Sequence, residues 1–233
     1  MQLILTAHGS ADPRSAANAR EVARTVATLR RGLDVKLAFC EQNSPNLRDV
    51  LADSTAGAVV VPLLLADAYH ARIDIPAMIA ASGADVRQAD VLGEDDRLIG
   101  VLGQRLTHCG VSRLDCRVGV LVTSVGSSCP QANARTASVA TALVAGTRWR
   151  AATALTTGPA ANLPEAASAL REQGATRLVV APWFLAHGRI TDRVADFAAA
   201  HGIEMAQPLG PHRLVADAVL DRFDAVVATA CAA

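Results

Sequence analysis

Three residues that can bind metals or carry protons stand at the ends of apolar runs: His8, Glu41 and His70. His8 closes LILTAH, Glu41 closes VKLAFCE, and His70 closes the longer segment VVVPLLLADAYH. Neutral imidazole is a borderline ligand that accepts iron, cobalt, nickel and zinc. It also titrates near neutral pH and so serves as a proton acceptor. A carboxylate beside two imidazoles completes a cation site or orients a ring. One histidine at a strand end is usually a hydrogen-bonded loop residue, so the case rests on all three converging.

They converge if the apolar runs are strands of one parallel sheet. The runs Leu3–Ala7, Val35–Cys40, Ala58–Leu64 and Val86–Ala89 alternate with helix candidates Ala16–Arg30, Asn46–Ser54, Ile75–Ala81 and Asp95–Cys109. Continuous Val/Leu/Ile strands separated by amphipathic stretches predict a parallel sheet covered on both faces. In such sheets ligands bind outside the carboxyl ends of the strands. That edge is where His8, Glu41 and His70 fall.

Other chemistries lack their residues. Neither a G-x-G-x-x-G nor a G-x-x-x-x-G-K-[ST] loop is present, and there is no G-x-S-x-G elbow. A histidine phosphatase needs an arginine just before its histidine, and that place is Ala7. The phosphatase is therefore a distant alternative. With 22 basic and 22 acidic side chains the net charge is zero, which points away from nucleic acid and anionic membranes. The start MQLILTAHGS has no basic segment before its apolar run. No apolar stretch approaches the roughly 20 residues of a bilayer span. A cytoplasmic location is the default expectation. The cysteines at 40, 109, 116, 129 and 231 form no C-x-x-C pair and read as scattered reduced thiols.

The pattern then repeats. Val118–Ser124, Ala151–Thr156, Leu178–Pro182 and Ile203–Ala206 form a second strand set, with helices Ala132–Val144, Leu163–Gln173, Thr191–Ala200 and His212–Ala228. LILTAHGSADP matches VLVTSVGSSCP, VVVPLLLAD matches VVAPWFLAH, and LGEDDRL matches LGPHRL, at offsets of 115 to 120 residues. Matched turn residues, and not only matched apolar ones, indicate one unit used twice. The expectation is two tandem flavodoxin-like α/β domains, 1–113 and 114–233, each a four-stranded parallel sheet with helices on both faces, related by pseudo-two-fold symmetry. The chain would then be a monomer acting as an internal pseudo-dimer.

LILTAHGSADPR, LAFCEQNSPNL and VVVPLLLADAYHARIDIP together resemble the class II chelatases that act on sirohydrochlorin, the small cobaltochelatases and ferrochelatases of cobalamin and sirohaem biosynthesis. The His-Gly-Ser opening, the Phe-x-Glu followed by proline, and His-x-x-x-Asp-Ile-Pro stand in the family's order. The likeness covers essentially the whole chain, in the two-domain form with a degenerate second half. It implies a metal chelatase with sirohydrochlorin and a divalent metal (Fe²⁺, Co²⁺ or Ni²⁺) as substrates and no tightly bound cofactor. It implies His8 and His70 as metal ligands and proton acceptors, with Glu41 supporting them by orienting a histidine or the metal. Ser10, Arg14, Tyr69 and Arg72 lie beside these motifs and are candidates for the substrate, the arginines for its carboxylates and Tyr69 for its ring. The competing reading is a non-catalytic tetrapyrrole or metal-binding protein descended from such an enzyme.

The second half departs from this pattern. Val125 replaces His8, Thr156 falls near the place of Glu41, and nothing answers His70. His187 aligns with Asp67, too early to be its equivalent. The expectation is a single site in the first half. The second half would form the far wall of the substrate cleft, with Arg189 and Arg193 as candidate carboxylate contacts.

Overall fold

The computed structural model describes residues 1–158 and 162–231. Burial separates central strands from edge strands. β1 (Gln2–Ala7) and β3 (Ala58–Pro62) are buried almost throughout, whereas β2 (Asp34–Phe39) is exposed or half-buried until its last two residues and β4 (Val86–Gln88) is half-buried. A strand buried on both faces needs a layer on each side. The hydrogen-bonded order is accordingly β2-β1-β3-β4, all parallel, with β1 and β3 in the middle. This is the flavodoxin-like order, and its switch point lies between β1 and β3.

Helices α1 (Pro13–Leu29), α2 (Leu47–Ala52) and α3 (Ile75–Ser82) follow the first three strands. Local chemistry sets where they start. Asp12 accepts the Arg14 N–H at the head of α1, with Pro13 in the first turn, and Asn46 accepts the Arg48 N–H at the head of α2. Gly83, with φ +65°, ends α3 in the left-handed conformation.

The second sheet repeats the first. β5 (Val118–Ser124), β6 (Arg150–Leu155), β7 (Arg177–Pro182) and β8 (Glu204–Met205) run parallel in the order β6-β5-β7-β8, with α5 (Pro130–Val144), α6 (Leu163–Glu172) and α7 (Arg189–Ala200). Two tandem four-stranded α/β domains are what the sequence pattern leads one to expect. No helix among the described residues is long and apolar enough to cross a membrane.

Two helices do not stay with the repeat that encodes them. α4 (Asp96–His108) follows β4 in the chain, and α8 (Arg213–Cys231) follows β8. The compact units are Met1–Gly93 with the segment from Pro211 onward, and Glu94–Gly210. α8 thus packs on α1 and β3, while α4 packs on α5 and β7. The repeat boundary near residue 114 and the boundaries of the units therefore differ by one helix on each side. Matching arginines hold the exchanged helices. Arg222 of α8 donates to the carbonyls of Val91 (2.9 Å) and Leu92 (2.8 Å), and Arg105 of α4 donates to that of Leu209 (2.8 Å). Arg30 and Asp224 add a two-pronged ion pair at 2.5 and 2.7 Å, which holds the Asp224 carboxyl below its usual range.

α8 buries Val215, Ala216, Val219 and Phe223. Losing the Phe223 ring would leave a cavity in the first unit. Phe223→Ala is expected to lower stability by about 3–5 kcal/mol in urea denaturation. A loss below about 1 kcal/mol would show that α8 is not part of this core.

Candidate active site

The ends of β1 and β2 are stitched together. The Cys40 N–H donates to the Ala7 carbonyl and the Glu41 N–H to the His8 carbonyl, each at 3.0 Å. The Ser10 N–H donates to Asn43 Oδ1 at 2.7 Å. Gly9, at φ +100°, lies so close that a Cβ built on it would sit 1.8 Å from the Glu41 carbonyl oxygen. Only glycine fits such an approach. The chain turns away at Gln42, a left-handed residue with φ +61°. These constraints set Glu41 beside His8, with Oε1 3.5 Å from His8 Nε2. The other ring nitrogen of His8, Nδ1, is 2.8 Å from the Gly9 carbonyl oxygen.

The end of β3 is tied to β1 by the Leu63 N–H, which donates to the Thr6 carbonyl at 2.8 Å. Beyond it, His70–Asp74 forms one turn of π-helix, closed by the Ile75 N–H on the His70 carbonyl. Such widened turns occur often at functional sites. Pro76, in the first turn of α3, has no N–H to give to the Arg72 carbonyl. The buried amide of Gln88, on β4, takes up the Ala71 carbonyl at 2.7 Å. Within the turn, His70 Nδ1 lies 2.5 Å from Asp74 Oδ2.

His8 and His70 meet: their ring centroids are 4.0 Å apart and their planes stand at 80°. Both rings and Glu41 are partly open to solvent, at 34%, 42% and 52% side-chain exposure, so an incoming ion can reach them. The three residues singled out in the sequence are thus brought together at the switch point, all within the first unit. Glu41 faces Nε2 of His8, the nitrogen not engaged by Gly9. A carboxylate and an imidazole Nε2 at 3.5 Å attract when a proton or a metal cation lies on the nitrogen. Beneath them, burial pushes the Cys40 thiol up to about 11, with the charges of Asp74 and Glu41 adding to the effect. It is a neutral thiol at pH 7, so the site offers nitrogen and oxygen donors. Among the described residues no group of three or more His, Cys, Asp and Glu side chains is arranged to hold a metal ion by itself.

The other candidates lie around this centre. Tyr69, 64% exposed, stands edge-on to His70 with centroids 5.9 Å apart. The Ser10 hydroxyl accepts the Asp12 N–H at 3.0 Å. Arg14 is held by Asp12, and Arg72 by Asp67, each at 2.6 Å. Asn43 and Gln88 escaped the sequence reading, and Asp74 entered it only as part of His-x-x-x-Asp-Ile-Pro, with no role of its own. Asp74 had a signal, its spacing of four from His70, which places both on one helical face. Asn43 and Gln88 act across strands and had none.

The second unit keeps the frame and changes the side chains. Strand register aligns Ala7 with Ser124 and Phe39 with Leu155, so the place of Glu41 is taken by Thr157, one residue beyond Thr156. The same close approach confirms it: a Cβ on Gly126 would lie 2.0 Å from the Thr157 carbonyl oxygen. Val125, 46% exposed, stands in the place of His8. Strands β4 and β8 pair at equivalent points as Gln88 and Met205, so the amide that supports the π turn is also gone. His187 lies ahead of α7, with Nε2 2.9 Å from Gln207 Oε1.

A flavodoxin-like unit used twice, with imidazoles and a carboxylate at one switch point and not the other, has the architecture of chelatases. SirB from Bacillus subtilis, solved with Fe³⁺, matches with a TM-score of 0.80 and 20% identity over 98% of this chain and 96% of that one. CbiX, described as the terminal enzyme for siroheme biosynthesis in denitrifying bacteria, matches with a TM-score of 0.68 and 19% identity over 96% and 98%. A sirohydrochlorin cobaltochelatase of Priestia megaterium is 25% identical over 219 residues, 87% of this chain and 70% of that protein. The CbiX family model matches residues 2–109 and again 119–226. The chain belongs to the CbiX family of class II chelatases.

Replacing Gly9 by alanine forces the β1 and β2 loops apart and strains the positive φ. Stability should fall by about 1–3 kcal/mol in chemical denaturation. A fully stable Gly9→Ala protein would mean that the seam is not rigid.

Proposed function

We propose that this protein inserts a divalent metal, Fe²⁺ or Co²⁺, into sirohydrochlorin, as a step of sirohaem or cobalamin biosynthesis. The observation that carries the reading is the meeting of His8, His70 and Glu41 at one switch point. Family membership and the cobaltochelatase relative support the reaction class.

Metallating a tetrapyrrole delivers a cation to four ring nitrogens and removes two pyrrole protons. His8 and His70 act as transient metal ligands and then as proton acceptors, the two tasks imidazole performs near neutral pH. Glu41, on the Nε2 side of His8, lowers the energy of the cation or of the proton that replaces it. An open site suits an ion that must leave again, because a closed cage would hold it. Ser10, Arg14, Tyr69 and Arg72 contact the substrate, the arginines by exchanging their own carboxylates for those of its acetate and propionate arms. The protein works as a cytoplasmic monomer without a resident cofactor.

The test is metallation followed by visible spectroscopy with sirohydrochlorin and Co²⁺ or Fe²⁺. His8→Ala and His70→Ala should each lower the turnover rate by about 100-fold or more, while His187→Ala should stay near the unaltered enzyme. Full activity in His8→Ala would sink the proposal. Tight binding of sirohydrochlorin by the unaltered protein, with no acceleration over the uncatalysed reaction, would mark a carrier instead.

A further inference from the structure

We infer that Asp74 is a positioning residue which, together with the Gly9 carbonyl, holds His70 and His8 in one tautomer, with Nδ1 protonated and Nε2 left as the electron-pair donor.

Hydrogen-bond donors and acceptors decide the tautomer. The Gly9 carbonyl oxygen only accepts, so the 2.8 Å contact requires His8 Nδ1 to carry the hydrogen. An ionised carboxylate likewise only accepts, so the 2.5 Å contact requires the hydrogen on His70 Nδ1. A neutral imidazole has one N–H, so in both rings Nε2 is bare. Free histidine side chains prefer the opposite form, with the hydrogen on Nε2. Each ring is therefore held in its less common tautomer by a partner on the side away from the reactive nitrogen. Glu41 does not do this work: it faces Nε2 of His8. The orienting acceptor for His70 is Asp74, four residues on in the same π turn, whose Ala71 carbonyl accepts from the Gln88 amide. An outer acceptor of this kind fixes ring orientation and raises ligand basicity. The second unit has neither histidine and has lost Gln88 to Met205.

The inference deepens the chelatase reading and rests on it for its purpose, but its primary test needs no turnover. Long-range ¹H–¹⁵N correlation on the full chain, with ring-labelled histidine at a pH where imidazoles are neutral, reads the tautomer of each ring. The unaltered protein should show His8 and His70 both protonated at Nδ1. Asp74→Leu should return His70 to the Nε2–H form and leave His8 as it was. Asp74→Asn, whose amide oxygen still accepts, should keep the Nδ1–H form. If Asp74→Leu fails to fold, Asp74→Ala removes the same acceptor and gives the same reading. In metallation assays Asp74→Leu should lose about 10- to 100-fold in kcat with KM for sirohydrochlorin unchanged, and Asp74→Asn should recover most of it. His70 found as Nε2–H in the unaltered protein, or unmoved in both Asp74→Leu and Asp74→Ala, overturns the inference. The expected tautomers in a protein that shows no metallation would instead refute the proposed function and leave the assignment of Asp74 standing.

Discussion

The site depends on the close approach of two backbone segments, the turn after β1 and the turn after β2. Gly9 meets the Glu41 carbonyl where no side chain could stand, and peptide hydrogen bonds run from Cys40 and Glu41 back to Ala7 and His8. This seam fixes the backbone positions from which an imidazole on one strand and a carboxylate on its neighbour are presented. Rigid backbone around a site of this kind reduces the reorganisation a reaction must otherwise supply. β3 joins the same frame through the Leu63 N–H on the Thr6 carbonyl.

The second unit shows that frame and chemistry are separable. Gly126 approaches Thr157 as Gly9 approaches Glu41, and the Thr156 N–H bonds to Ser124 as that of Cys40 does to Ala7. The left-handed position held by Gln42 is Gly158, at φ +79°. What has gone is the set of polar side chains: valine for the first histidine, threonine for the glutamate, methionine for the glutamine under the π turn. The backbone seam is thus present in both units. The exchange of α4 and α8 gives a reason for both copies to remain, since each unit is completed by a helix encoded in the other repeat.

Most of this was legible in the sequence, for identifiable reasons. Every strand and α-helix was visible because the core strands are continuous Val/Leu/Ile runs separated by amphipathic stretches, whereas the π turn at His70–Asp74 was not. His8, Glu41 and His70 were visible because the parallel topology sends strand ends to one edge. Three other things were not. The destination of α4 and α8 depends on packing between segments distant in the chain, and the repeat pattern carries no mark of it. The one-residue difference between Thr156 and Thr157 depends on strand register, which motif matching does not fix. The role of Asp74 depends on which imidazole nitrogen faces which acceptor, and that exists only in three dimensions.

In the proposed function His8 and His70 of the first unit, and not His187 of the second, receive the incoming metal. X-ray absorption at the cobalt edge, on protein loaded with one equivalent of Co²⁺, counts imidazole ligands directly. Two are expected in the unaltered protein, one in His8→Ala and in His70→Ala, and two in His187→Ala. A cobalt centre that keeps both imidazoles in His8→Ala, or that loses one in His187→Ala, would contradict it.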